Sequence, residues 1–163
     1  MSSTQPPVSG LVPCSTVLLT ASAYARQDAM TATAIFISEE PPILSVSVAK
    51  HILTHYLIGE SGEFVANLAA GDQLELARQL GSTHGTEVDK IEHFNVPVEI
   101  GEKVAAPRIQ GSYASLECRV LNSYDAGDFV VYFAEVLASS VDPSKVPLVW
   151  HQGRYYPLEN PVA

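Results

Sequence analysis

Residues 30–50 read MTATAIFISEEPPILSVSVAK, and the fold turns on them. From Ile43 the chain alternates: Leu44, Val46 and Val48 point one way, Ser45, Ser47 and Ala49 the other. A period of two marks a strand with one buried face. The preceding MTATAIFIS alternates as well, with Met30, Ala32, Ala34 and Phe36 on one face and Thr31, Thr33, Ile35 and Ile37 on the other. Glu39-Glu40-Pro41-Pro42 ends that strand, because proline cannot donate to a ladder.

Working outward, PCSTVLLTASA (13–23) is rich in apolar and β-branched residues and reads as an early strand, and residues 24–30 read as a turn. Residues 1–11, polar and proline-bearing, are expected to be a flexible arm, leaving 12–163 as one domain. On the other side HILTHYLIGE (51–60) changes to helical spacing, with Gly59 or Gly62 as the stop. EFVANLAA (63–70) is a short apolar piece. Asp72 and Glu75 resemble a capping box for a helix over about 72–80, stopped by Gly81. VPVEI (96–100) is a small strand. SYASLECRVLNSY (112–124) and FVVYFAEVLASSV (129–141) flank the turn Asp125–Asp128 and predict a β-hairpin, and VPLVW (146–150) is a final apolar strand. Strands in hairpin-like pairs, without βαβ alternation, point to an antiparallel barrel or sandwich with short helices at its ends.

Composition removes several function classes. The 163 residues are 47% hydrophobic, with 9 basic against 18 acidic residues and a net charge of −9. No basic stripe for nucleic acid or for an anionic membrane surface can be assembled from so few cations. Two cysteines do not suggest a disulfide-built domain, and reduced thiols in a cytoplasmic setting are expected. No run of 18 apolar residues is present, and no basic residue precedes the apolar stretch near the N-terminus, so neither a membrane span nor a signal peptide is expected.

Two stretches carry chemistry. Ser45 and Ser47 place two hydroxyls on one strand face, Lys50 ends the strand, and Thr54 follows one helical turn later. Hydroxyls, a cation and a helix start suit a phosphate monoester. The same spacing also fits a polar outer strand face with a solvated lysine. At Asp28–Thr33 small residues enter a strand, where a flat ring could approach the backbone; a plain strand start has the same pattern. His51 and His55 are four apart but lack the further ligands of a zinc site, so no metal is expected. There is no G-x-S-x-G elbow, G-x-G-x-x-G or Walker loop, and Cys118 reads as an inert core thiol.

The order of these pieces resembles the flavin reductase-like family with an FMN-binding split barrel, as in flavoredoxins. The residues that carry the resemblance are Met30–Thr33, Pro41-Pro42, Ser45 and Ser47, Lys50, Thr54, Ser61–Phe64 and Asn67. Asp89-Lys90, Pro107, Leu116–Cys118, Gly127-Asp128, Glu135-Val136 and the segment from Pro147 through Gly153 and Tyr155 to Leu158 extend it over about residues 12–158. The resemblance implies a mainly β, six-stranded antiparallel Greek-key split barrel with two or three short helices, forming a homodimer with FMN near the interface. It implies cofactor contacts from Met30, Thr31, Ala32 and Thr33 along the ring, and from Ser45, Ser47, Val48, Ala49, Lys50 and Thr54 toward the phosphate. Asn67, Lys90 and Tyr155 would lie near the pocket. The implied activity is hydride transfer from NADH or NADPH to FMN and onward electron transfer, a partner oxygenase being one acceptor. One departure matters: many members carry histidine after Gly-Asp in the hairpin, and here Phe129 stands there. Phenylalanine can stack on a ring but cannot bond an amide. His151 is a candidate to take that place in the substrate pocket. An FMN-binding electron carrier without its own NAD(P)H site is therefore the alternative.

Overall fold

Val17, Leu18 and Leu19 are successive residues with no exposed surface. A strand whose neighbouring side chains are all buried has a core on both faces, and the structure is organised around this one. The computed structural model describes residues 5–162. In chain order the elements are α1 (Val8–Leu11), β1 (Cys14–Ser15), β2 (Val17–Ala23), β3 (Arg26–Ala32), β4 (Ala34–Glu39), β5 (Pro42–Ala49), α2 (Leu53–Ser61) and β6 (Glu63–Leu68). A 3-10 turn then leads into α3 (Leu74–Ser82), followed by α4 (Lys90–His93), β7 (Val98–Glu99), β8 (Arg108–Ile109), β9 (Ala114–Ala126), β10 (Phe129–Val141), β11 (Leu148–His151) and β12 (Arg154–Pro157).

The main sheet has the order β3-β2-β6-β9-β10-β5-β4, and every pair in it is antiparallel. Two small sheets, β1-β11-β12 and β7-β8, lie beside it. β3 and β4 sit at opposite edges of the main sheet, yet only Thr33 separates them in the chain. The sheet must therefore curl until its edges meet at Thr33. The inner core agrees: Val17 and Leu19 of β2, Val46 and Val48 of β5, and Phe64 of β6 belong to one cluster, closed at one end by Leu57 and Ile58 of α2. Counted as one bent strand, β3 and β4 reduce the seven to the six strands of a split barrel. Leu18 and Ala29 face the other way, onto a second core with Ala77 and Leu80 of α3.

Local chemistry explains the elements, and the structure differs from the expectation in several: Val8–Leu11, within the expected arm, form α1, and the described residues hold four helices instead of two or three. The 24–30 turn shrinks to Tyr24 and Ala25, both at positive φ (50° and 60°), and Arg26 already begins β3. Such a two-residue hairpin matches the twist of its flanking strands; without glycine or asparagine it leaves little signal in the sequence. The helix near 72–80 runs over Leu74–Ser82, so Gly81 lies inside its last turn. The cap is made by Gln73, whose Oε1 accepts from the Ala70 amide (2.9 Å), while Asp72 pairs with Lys145 (2.6 Å). α2 does end on Gly62, whose φ is +69° and whose amide donates to Ile58 O (2.8 Å). The hairpin turns at Gly127 and Asp128, with Phe129 opposite Ala126.

A buried carboxylate fastens the segment before β9 to the sheet. Glu117, with no exposed surface, accepts from the amides of Lys103 (2.8 Å) and Val104 (3.1 Å) and from Arg108 Nε (3.0 Å) and Nη2. Burial alone would raise its pKa, but these hydrogen bonds outweigh it and hold the group at about 2. The folded value lies below the unfolded one. The contribution to stability is therefore complete above the ordinary carboxylate range and drains as pH falls toward 2. Glu117→Gln should cost about 3–5 kcal/mol in urea unfolding, because buried Arg108 keeps only the exposed Glu102, 3.6 Å away, as a counter-ion. It should also flatten the acid limb of the stability–pH curve; an unchanged limb would contradict this assignment.

Candidate functional site

Because β3 bonds only to β2, one side of its backbone faces outward. Along that edge runs a groove with two connected lobes, Thr31 and Gly81 belonging to both. One lobe, of about 320 Å³, lies between Thr31-Ala32-Thr33, Ser15-Thr16 and the pair Trp150 and Tyr155. The other, of about 250 Å³, lies between Met30, the entry to α2 at His51–Leu53, and the segment Gly81–Thr86, with Lys90 beneath. Together they fall within the size of small-molecule sites, roughly 300–1,000 Å³.

The two lobes differ in chemistry. The first has an aromatic wall, made because Trp150 of β11 pairs with Tyr155 of β12. Burial raises the Tyr155 pKa, opposed by nearby Arg78, so it is a neutral phenol. Thr16 at the lobe's floor is 1% exposed, and its hydroxyl has no hydrogen-bond partner. A buried unsatisfied hydroxyl is costly, and a ligand with a polar edge would satisfy it. The second lobe is hydroxyl-rich, with Ser82, Thr83 and Thr86 facing the first residues of α2. The two lobes meet at a waist between Gly81 and Thr31, where a Cβ on Gly81 would come into contact with Thr31 Cβ (3.4 Å). Thr31 fixes it by donating to Ala77 O of α3 (2.5 Å).

Beneath the second lobe lies a buried charge cluster. Asp28 has no exposed surface; its Oδ2 accepts from the Thr54 hydroxyl (2.6 Å) and its Oδ1 lies 3.4 Å from Lys90 Nζ. Lys90 also donates to Leu80 O (3.3 Å), which ties β3, α2 and the end of α3 together. Desolvation lowers the Lys90 pKa, partly offset by Asp28.

The structure brings Met30, Thr31, Ala32, Thr33, Lys90 and Tyr155 to this groove. The other expected site residues lie elsewhere. Lys50 Nζ is bonded to Asp125 of the hairpin tip (2.7 Å) and its amide to Asp128 O (3.0 Å). Ser45 and Ser47 are on the sheet face opposite Leu44, Val46 and Val48, beside Phe133 and Val131 of β10. Val48 and Ala49 are buried. Thr54 is turned inward to Asp28. Asn67 is a structural hub behind the sheet: it donates to Leu18 O (2.8 Å) and accepts from Ile109 N (2.9 Å) and the Ser115 hydroxyl (2.8 Å). Phe129 is half-exposed beside Ala49, and His151 lies at the end of β11, opposite Arg154. Sequence reasoning missed Thr16, the segment 81–86 and Trp150. The one available signal was the aromatic character of WHQGRYY.

Lys90→Met would leave Asp28 buried and unpaired, and should destabilise the fold by about 3–5 kcal/mol in chemical denaturation. Lys50→Met removes only an exposed pair, and its stability should stay within experimental scatter. Equal losses in the two variants would contradict the burial argument.

Comparison with known proteins places these features in a family. The model of the flavin reductase like domain matches residues 9–159. The reductase subunit HsaB of a flavin-dependent monooxygenase from Mycobacterium tuberculosis is 31% identical over 126 residues, 76% of this chain and 64% of that subunit, so the chain spans just under two thirds of its length. The structure of the Streptomyces globisporus NADH:FAD oxidoreductase SgcE6 superposes with a TM-score of 0.85 at 25% identity, covering 93% of this chain and 89% of that one. SgcE6 has also been solved in complex with NAD and FAD fragments. An FMN-binding protein from Thermus thermophilus superposes with a TM-score of 0.85 at 25% identity, covering 100% of this chain and 97% of that one.

Proposed function

This chain belongs to the flavin reductase-like family, and on that premise we propose that it binds FMN along the outer edge of β3 and reduces it with NADH or NADPH. The observation that carries the reading is the Thr16 hydroxyl, buried without a partner at the floor of the aromatic lobe. The ring belongs in that lobe, against the free backbone edge of Thr31–Thr33 and between Thr16 and the Trp150–Tyr155 wall. Edge-strand N–H and C=O groups are unmet by the sheet and match the alternating donors and acceptors of a pyrimidine-like ring edge. The ribityl chain passes the waist at Gly81, where a Cβ would already touch Thr31 (3.4 Å) and a longer side chain would fill the passage. The phosphate end lies in the hydroxyl-rich lobe beside the start of α2.

Bound flavin supplies the two-electron acceptor that no side chain of this protein provides. The residues do the rest. Tyr155 and Trp150 exclude water from one side of the site, and the β3 backbone orients the ring. Hydride transfer needs no protein acid or base in the groove, consistent with an edge lined mainly by small and neutral groups. Electron acceptors then include free flavin or a partner oxygenase, in keeping with the relative named as a monooxygenase reductase subunit.

The same reading includes a homodimer. β4 is the far edge of the sheet and exposes Ile35 (65%) on one face and Phe36 (66%) on the other. An apolar pair on an open edge is a ready pairing surface. A cytoplasmic setting agrees with Cys14 and Cys118 both being free thiols. We read 12–163 as the domain; of the preceding residues, 1–4 lie outside the described ones and Val8–Leu11 form α1.

Phe129 favours the second reading, an FMN-binding carrier without its own NAD(P)H site, because a half-exposed phenylalanine offers no polar contact to a nicotinamide. Adding NADH and then NADPH anaerobically to the FMN-loaded protein separates the two. Bleaching of the flavin band within seconds supports the reductase; a band that persists with both supports the carrier; failure to bind FMN would falsify both. Gly81→Leu fills the waist while improving helix propensity. It should weaken FMN binding about tenfold or more with unchanged or raised thermal stability.

A further inference from the structure

Asp28 is the feature that the reading above does not use. Its carboxylate is wholly buried, two positions before Met30 on β3. It holds the Thr54 hydroxyl at 2.6 Å, and its Oδ1 receives no hydrogen bond, only the Lys90 ammonium at 3.4 Å. Gly85 of the groove wall lies directly on it: a Cβ at that position would be 2.2 Å from Oδ1. The carboxylate therefore engages the Thr54 hydroxyl beneath the groove and the one lysine that lines its hydroxyl-rich lobe. Lys90 is the one cation among the residues lining that lobe, and it is already neutralised. His51 and His84 complete the lobe's titratable groups.

We propose that Asp28 is a specificity-determining residue that suppresses the preference of this groove for a phosphate-bearing flavin over riboflavin. The proposal rests on the flavin reading given above. A phosphate entering the lobe meets no free ammonium. To attract Lys90 it must break the pair with Asp28, leaving a carboxylate buried and unpaired, which is strongly unfavourable. Hydroxyls and backbone amides remain to hold the phosphate, and these serve a ribityl hydroxyl nearly as well. The site is then selective for the isoalloxazine ring and permissive at the far end of the ligand. Asn in place of Asp28 keeps an acceptor for Thr54 and removes the negative charge. Lys90 loses the carboxylate that offsets its burial, and a phosphate in the lobe would take that place.

The test is to titrate wild-type protein and Asp28→Asn with riboflavin and with FMN, following flavin fluorescence at low and moderate salt. Wild type should bind the two within about tenfold of each other, with similar salt dependence. Asp28→Asn should tighten FMN at least about tenfold relative to riboflavin, with FMN binding now falling as salt rises. A wild-type preference for FMN above roughly a hundredfold overturns the proposal without recourse to the variant, so a variant that fails to fold does not protect it. A folded variant with an unchanged FMN-to-riboflavin ratio also overturns it, while the flavin reading stands. If neither flavin binds wild type, the flavin reading itself fails and the proposal with it.

Discussion

A curled sheet has to end somewhere, and in this protein both ends fall on one stretch of chain. β3 and β4 are consecutive, separated by Thr33, and occupy opposite edges of the same seven-stranded sheet. That constraint joins the two edges of the split barrel through the covalent chain and leaves the outer side of β3 without a strand partner. The unpaired edge is normally a liability in a β-protein. Here it is flanked by α3, the β1-β11-β12 sheet and the entry to α2, so that the edge becomes one wall of a groove instead of an aggregation surface.

Polar residues buried behind the edge hold it in place. Thr31 reaches across to Ala77 of α3, and Asn67 binds β2, β8 and β9 through hydrogen bonds that use its whole amide. Asp28, Lys90 and Thr54 tie β3 to α2 and to α4. Buried groups of this kind are unforgiving when one member is removed. Their number near a single groove argues that the position of its walls is specified, not merely tolerated.

Much of the fold was legible because period-two alternation survives in 43–50, 112–124 and 129–141, where one sheet face is buried and the other is polar or half-exposed. The turn at Tyr24–Ala25 was not, since both residues adopt positive φ without the glycine or asparagine that usually announces it. Of the candidate site, the strand Met30–Thr33 was readable from its small side chains, and Tyr155 and Lys90 from family resemblance. The convergence of Ser45, Ser47, Lys50 and Thr54 looked equally readable, yet the structure separates them. Thr54 faces inward to a carboxylate 26 positions earlier in the chain, and Lys50 faces a hairpin tip 75 positions later. Side-chain partners so distant in sequence leave no local pattern, and neither does the groove wall at 81–86, which has no periodicity to read.

The central claim is that the outer edge of β3 is where the isoalloxazine ring lies. A crystal structure of the protein grown with FMN tests it most directly. The account expects the ring against the backbone of Thr31–Thr33, with the Thr16 hydroxyl bonded to it and Tyr155 alongside. A ring seated instead in the apolar recess between β4, β5 and Leu116, with the β3 edge still facing solvent, would contradict it.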